Sequence, residues 1–356
     1  MKLALLVIFG GKSTEHEISN LSAYSVLSEI DRDKYNIYRL GITKDGKFFL
    51  FEGEDKDIKT GQWEKDEKNL KPAYIIPGKD KSQLVVEKNN GFEKFNIDVA
   101  FPVLHGQNGE DGTIQGLFEL YNIPFVGCDM TSSVVSMDKV LTNTLSDYFE
   151  IPQAKWRSLK AIEYKKRPEI LDEIANYLSY PIFIKPARAG SSVGVTKAED
   201  KKMLAAGTEK AFLHDNKIVF EEFIDGYEVE CAVLGNENLK LGVLGQIKAE
   251  RDFYDYEAKY NDVKSKTVIP AEIDKSLQEK ILGMAKKIYL SLGCSGMSRV
   301  DFFVEKKTGK IRFNEINTIP GFTDISMYPK MMRAAGIDYV DLLDRLINLA
   351  IEKWRK

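Results

Sequence analysis

The stretch KIRFNEINTIPGF, residues 310–322, sets a carboxylate, Glu315, two positions from a carboxamide, Asn317. On a β-strand that spacing turns both side chains to one face, and Pro320-Gly321 then breaks the element. Upstream, SRVDFFVE (298–305) reaches this strand through the turn-forming KKTG, so the two read as a hairpin. With residues 306–310 as the loop, Asp301 faces Glu315 and Arg299 faces Asn317, all four on one face; a register slipped by one residue would undo these pairs. Two opposed carboxylates and an amide oxygen suit a hard cation such as Mg²⁺, shared with phosphates. The alternative is the polar outer face of an ordinary hairpin. Val300, Phe302, Phe313 and Ile316 require the opposite face to be buried.

Four further stretches carry residue types suited to chemistry. KPARAGSSVGV follows the strand IFIK with Lys185 and Arg188 just ahead of a glycine and serine loop. Backbone amides freed by glycine, with the Ser191 and Ser192 hydroxyls, could cradle a phosphate, although a plain turn uses the same residues. It is neither a Walker A loop nor a dinucleotide fingerprint. GGKSTEHEIS leaves the first strand and opens a helix, with Thr14 and Glu17 spaced as a capping box. Glu15 then falls in the first turn, where exposed amides stabilise a carboxylate able to receive a ligand ammonium; helix capping alone also explains most of the stretch. VLHGQNGEDGTIQG ends a strand in a glycine loop, the usual place for ligand contacts in α/β sheets, and contains His105, one of three histidines. A histidine there is more often structural than catalytic. DFYDYEAKYND crowds Tyr254, Tyr256 and Tyr260 with Lys259 into a polar loop, either a lid that excludes water or an ordinary packed connection.

The elements that must position these residues alternate in type. KLALLVIFGG, NIYRLGITK and FNIDVAFPVLHG read as strands, and TEHEISNLSAYSVLSEI and TIQGLFELYN as helices, the pattern of a parallel sheet with crossover helices. Residues 43–95, rich in charge and glycine, read as an elaborated surface region with the short strands KFFLF and AYIIPG. A second module opens near residue 128 with the helix SSVVSMDKVLTNTLSDYFE, followed by helices at 169–178 and 200–213. KIVFEEFIDGYEVECAVLG opens a third, which ends in the helix YVDLLDRLINLAIEKW. The expected domains are 1–127, 128–219 and 220–356.

The chain has 356 residues, 43% hydrophobic and 29% charged, with a net charge of -3. That balance gives no electrostatic reason to expect nucleic acid or an anionic membrane as partner, and points to small molecules or further copies of the chain. Three separated cysteines argue against a disulfide framework and for a reducing, cytoplasmic setting. MKLALLVIFGG is too short in its apolar run for a secretory signal and reads as a buried first strand. No apolar run approaches the ~20 residues of a membrane-spanning helix.

Taken in order, GGKSTEHEIS, LHGQNGEDGTIQG, MDK, FIKPARAGSSVGV, FYDYEAKY, GMSRVDFF and NEINTIPGFTDISMYP resemble the D-alanine:D-alanine ligases of the ATP-grasp superfamily, from about residue 3 to 349. The resemblance implies an α/β, three-domain ATP-grasp fold with a Rossmann-like N-terminal domain, a homodimer, and ATP-driven joining of two D-alanines for peptidoglycan precursors. It implies ATP contacts by Lys139, Lys185, Ser191, Ser192, Lys259 and Asn314, and adenine and ribose contacts by Glu221, Glu222, Phe223, Ile224 and Glu228. Asp301, Glu315 and Asn317 look like ligands of two Mg²⁺ (or Mn²⁺) ions. By similarity Glu15 would hold the first ammonium, with Ser191 and Tyr260 completing its network. Arg299 and the Gly321 amide would stabilise the oxyanion, and His105, Ser326 and Met327 would meet substrate. The runners-up are a D-serine or D-lactate ligase of the same fold and, more remotely, a nucleotide-binding module without chemistry.

Overall fold

A computed structural model of the chain describes residues 2–248, 266–323 and 325–355. Among these residues the strands form three sheets. β1 (Leu3–Gly10), β2 (Tyr35–Ile42), β3 (Phe48–Phe51), β4 (Leu70–Ile76), β5 (Gln83–Lys88), β6 (Gly91–Asn96) and β7 (Val99–Pro102) make the first, in the order β6-β5-β4-β3-β2-β1-β7. The run LALLVIFG is apolar throughout because β1 lies between two parallel neighbours with both faces covered. The helix His16–Glu29 is the crossover from β1 to β2. The parallel core is therefore β2-β1-β7. The region 43–95, expected as surface elaboration, instead continues the sheet as an antiparallel meander whose Leu84 and Val86 are buried.

β8 (Trp156–Lys160), β9 (Ile182–Pro186), β10 (Thr196–Ala198) and β11 (Lys217–Glu222) form the second sheet, backed by the helices Ile170–Leu178 and Lys201–Phe212. β11 runs past residue 219, so the expected boundary there cuts a strand. The single helix expected over 132–150 is two, Met130–Met137 and Lys139–Tyr148. Asp138 separates them because its carboxylate accepts from the Val140 and Leu141 amides and so starts a new helix.

The third sheet contains β12 (Gly226–Leu234), β13 (Lys240–Leu241), β14 (Gly245–Lys248), β15 (Lys266–Val268), β16 (Met297–Glu305) and β17 (Ile311–Asn317), with the order β15-β14-β12-β16-β17 and β13 beside β12. Val300, Phe302, Val304, Phe313 and Ile316 pack on the helix Lys275–Ser291. The C-terminal helix Tyr339–Trp354 returns to the first sheet: Leu342, Leu343, Leu346 and Ile347 share a core with Leu5, Val7, Phe9 and Phe101. No helix among the described residues is long and apolar enough to cross a membrane.

Candidate active site

A cleft of about 1130 Å³ is bordered by the second and third sheets and by the loops and helix that follow strands of the first. Its floor is the outer face of the β12-β16-β17 strands. The hairpin register is the one the loop length demands, Asp301 against Glu315 and Arg299 against Asn317. One feature escaped the alternation rule: the register slips between Asp301 and Phe302, leaving Asn314 as an extra residue on β17. This bulge lets Phe313 and Ile316 both enter the core while Glu315 and Asn317 stay on the cleft side. β12 adds an acid the sequence reading missed. Glu230 pairs with Asp301, so Glu230, Asp301 and Glu315 lie side by side across three strands.

Carboxylate oxygens of Glu228, Glu230 and Asp301 come within 4.8 Å of one another. Asp301 is fully buried and sits behind the cleft surface, where Arg299 donates to both its oxygens at 2.8 and 2.7 Å and Asn317 Nδ2 donates at 3.0 Å. Arg299 Nε also lies 3.1 Å from Glu230. Burial works against the guanidinium charge, but Asp301 and Glu230 outweigh it and push the Arg299 pKa well above its ordinary value. The donor set is all oxygen and strongly acidic, which fits a hard divalent cation.

Opposite this floor, Lys185 on β9 pairs with Glu221 on β11 at 2.6 Å. Burial opposes the Lys185 charge, yet Glu221 raises its pKa. Lys139 donates to the Ala189 carbonyl at 2.9 Å, at the mouth of the glycine and serine loop. Ser191 and Ser192 both adopt left-handed backbone conformations, φ 47° and 58°, an uncommon state for residues with a Cβ. Glu221, Glu222, Phe223, Ile224, Glu228 and Asn314 line the same cleft. Arg188 does not join them: its side chain is tied to Asp215 at 2.8 Å.

At the first sheet, the Ser191 hydroxyl donates to Glu15, bringing two loops 176 residues apart together. Glu15 is the N-cap residue of the helix His16–Glu29, and the expected Thr14 and Glu17 capping box is not formed. Glu17 pairs instead with Lys44. His16 is buried, with Nδ1 2.8 Å from the Gly11 carbonyl and Nε2 2.9 Å from Glu64. The loop that holds Glu15 is thus tied to the segment between β3 and β4. Gly106 has φ +68°, and a Cβ there would fall 2.4 Å from Glu15 Oε2.

His105 lines the cleft, but both ring nitrogens are engaged, with Ser22 Oγ at 2.9 Å and the Ile319 carbonyl at 3.1 Å. Burial lowers its pKa. Glu110, another residue the sequence reading passed over, has its pKa raised to about 8, first by burial and then by nearby Glu15. Its signal was its place in the glycine loop HGQNGEDG. Gly321, Ser326 and Met327 close the cleft, Ser326 preceding the helix Met327–Ala334. Lys259 and Tyr260, with Tyr254 and Tyr256, lie outside the described residues.

The family models for the D-ala D-ala ligase N-terminus and C-terminus match residues 4–128 and 145–348. The chain belongs to the D-alanine:D-alanine ligase family. A D-alanine:D-alanine ligase of Caldicellulosiruptor bescii is 48% identical, with 100% of this chain and 97% of that one covered. One from Clostridium acetobutylicum is 49% identical, with 99% of both covered. Among solved structures, the VanG D-Ala:D-Ser ligase of Enterococcus faecalis superposes with a TM-score of 0.88 at 43% identity, over 98% of this chain and 100% of that one. The D-alanine:D-alanine ligase of Coxiella burnetii gives 0.84 at 34% identity, over 99% and 95%. The chain is thus an enzyme of the ligase family with the ATP-grasp fold.

Proposed function

We propose that the cleft joins two D-alanines into D-alanyl-D-alanine with conversion of ATP to ADP and phosphate, a step supplying peptidoglycan precursors in the cytoplasm. The observation that carries this reading is the convergence on a single cleft of one acidic row from the third sheet, Lys185 from the second with Lys139 from a neighbouring helix, and Glu15 from the loop after β1. ATP would lie between the second and third sheets, its adenine and ribose against Glu221, Glu222, Phe223, Ile224 and Glu228. Lys139, Lys185, Ser191, Ser192 and Asn314 would meet its phosphates, with Lys259 from the aromatic loop. Asp301, Glu315 and Asn317, with Glu230 beside them, would hold Mg²⁺ or Mn²⁺, which when bound offsets charge on the transferred phosphoryl group.

A carboxylate is a poor electrophile, so the first D-alanine takes the γ-phosphoryl group on its carboxylate oxygen and becomes an acyl phosphate. The amine of the second D-alanine then attacks the acyl carbon, phosphate leaves, and a proton is lost from the nitrogen. Glu15, oriented by Ser191 and in turn by Tyr260, would hold the first ammonium. Arg299 and the Gly321 amide would receive the oxyanion. The amides at the start of the helix Met327–Ala334, with Ser326, suit the second carboxylate. His105 serves this site through Ile319. We place the domains at 1–127, 128–222 and 226–356, moving the second boundary to the end of β11, and expect a homodimer.

The likeness to a D-Ala:D-Ser ligase supports a second reading, with D-serine as the attacking amine. Purified protein given Mg-ATP and D-alanine, alone and with equal D-serine or D-lactate, is expected to release phosphate and yield chiefly the mass of D-alanyl-D-alanine. A mixed product in excess would favour the second reading, and nucleotide binding without any product would leave only the module without chemistry.

A further inference from the structure

Glu110 belongs to the cleft wall but has no place in the reaction as described so far. Its carboxyl joins two distant parts of the chain. Oε2 accepts from the Gly106 amide at 2.9 Å, and Oε1 accepts from the Ile319 amide at 3.2 Å, across 209 positions of sequence. The carbonyl of Ile319 accepts from His105 Nδ1 at 3.1 Å. A carbonyl can only accept, so Nδ1 carries the proton and Nε2 is free to accept from Ser22 Oγ. Ser22 Oγ also receives the Phe322 amide at 3.4 Å. The Phe322 ring is buried against Phe101, Tyr328 and Tyr339, and its carbonyl takes the Tyr339 hydroxyl at 2.6 Å. Residues 319–322, which carry Gly321, are thus gripped at one end by the loop after β7 and at the other by an aromatic socket.

We propose that Glu110 is a positioning residue for the ligation step: by bridging the Gly106 and Ile319 amides it fixes the place of the Gly321 amide relative to the reacting carbonyl. This rests on the oxyanion role given to Gly321 above. Removing the carboxyl leaves the Ile319 amide without its acceptor, while the His105 contact and the Phe322 socket persist. The segment then stays bound but loosens where its placement matters. The nucleotide contacts lie on other elements, so their loss is not expected. Removing an oxyanion donor typically costs 10²–10³ in kcat, and a displaced one is expected at the lower end of that range.

The test compares the full-length wild type with Glu110→Ala and Glu110→Gln. It measures kcat, KM for each substrate, phosphate released per dipeptide formed, and affinity for a non-hydrolysable Mg-ATP analogue. Glu110→Ala should lower kcat about 10²-fold while nucleotide affinity stays within about twofold, because the lost contact acts in the transition state. Phosphate should exceed dipeptide, as the acyl phosphate is left longer to water. Glu110→Gln keeps one acceptor oxygen and should recover part of the loss; it decides the question if the alanine variant does not fold. The proposal is overturned by kcat within about threefold of wild type in both variants. A loss of kcat matched by an equal loss of nucleotide affinity would also overturn it. Failure of the wild type to form dipeptide would instead strike the ligase reading itself.

Discussion

Glu315 and Glu110 are both carboxylates in one cleft, yet their surroundings give them different work. Glu315 stands in a row with Asp301 and Glu230, a concentration of negative charge that suits the proposed cation. Glu315→Gln is expected to cut turnover by at least ~10², since neutralising a metal ligand at a phosphoryl-transfer site costs several kcal/mol; near-normal phosphate release by that variant would refute the assignment. Glu110 instead sits where burial and Glu15 disfavour its charge, raising its pKa from 4.5 to about 8. The folded protein therefore holds a proton there that the unfolded chain gives up, so stability declines as pH rises from about 4.5 to about 8. His105 acts at the acid end: burial lowers its pKa, the unfolded chain takes up a proton near the ordinary value of 6.5 that the fold resists, and stability falls as pH drops below that value. Melting curves across pH 5–8, at constant salt, should show a smaller alkaline decline in Glu110→Gln than in wild type. An unchanged slope would show that Glu110 is charged in the fold. Glu230 was not legible as a site residue, because its significance comes from Asp301 on a strand far away in sequence, and Glu110 left only its place in a glycine loop, its partner Ile319 lying 209 positions on.

Elements were legible where a turn length or an unbroken apolar run dictated them. KKTG set the β16-β17 register, and LALLVIFG could only be an interior strand. The bulge at Asn314 was hidden because no glycine or proline marks it. Of the meander, β3 and β4 were legible as the short strands KFFLF and AYIIPG, whereas β5 and β6 were hidden, the outer strand GFEKFN being mostly exposed and carrying the charges of a protected sheet edge. The same meander gains a purpose from the structure. Trp63 is fully buried beside the His16 ring, and Glu64 meets His16 Nε2, so this segment holds the loop that presents Glu15. Glu64→Gln should weaken that hold and raise the KM for the first D-alanine about threefold to tenfold, a loss of ~1 kcal/mol, with kcat and nucleotide affinity little changed. An unchanged KM, measured with the second subsite saturated, would confine Glu64 to a surface role.

At the scale of the whole molecule the six motifs that fall within the described residues, scattered over more than 300 positions, meet because the third sheet is packed against the first by the C-terminal helix while the second closes from the other side. This assembly could be expected from the family resemblance but not from periodicity, since the contacts joining the sheets have no local pattern. It places Glu228, Glu230, Asp301 and Glu315 close to the proposed position of the ATP phosphates. A polyphosphate and a row of acids repel each other unless cations stand between them. ATP with Mg²⁺ should therefore raise the melting temperature by several degrees, because a ligand at ~100 times its dissociation constant adds about 2.7 kcal/mol to the folded state. The same ATP with EDTA should give much less. Glu315→Gln should narrow the gap between the two conditions, because it removes part of the repulsion that the cation relieves. Differential scanning fluorimetry of the two proteins in the two buffers measures all four values. Equal shifts with and without the cation in wild type would mean that the acidic row does not face the phosphates, and the proposed orientation of ATP in the cleft would have to be abandoned.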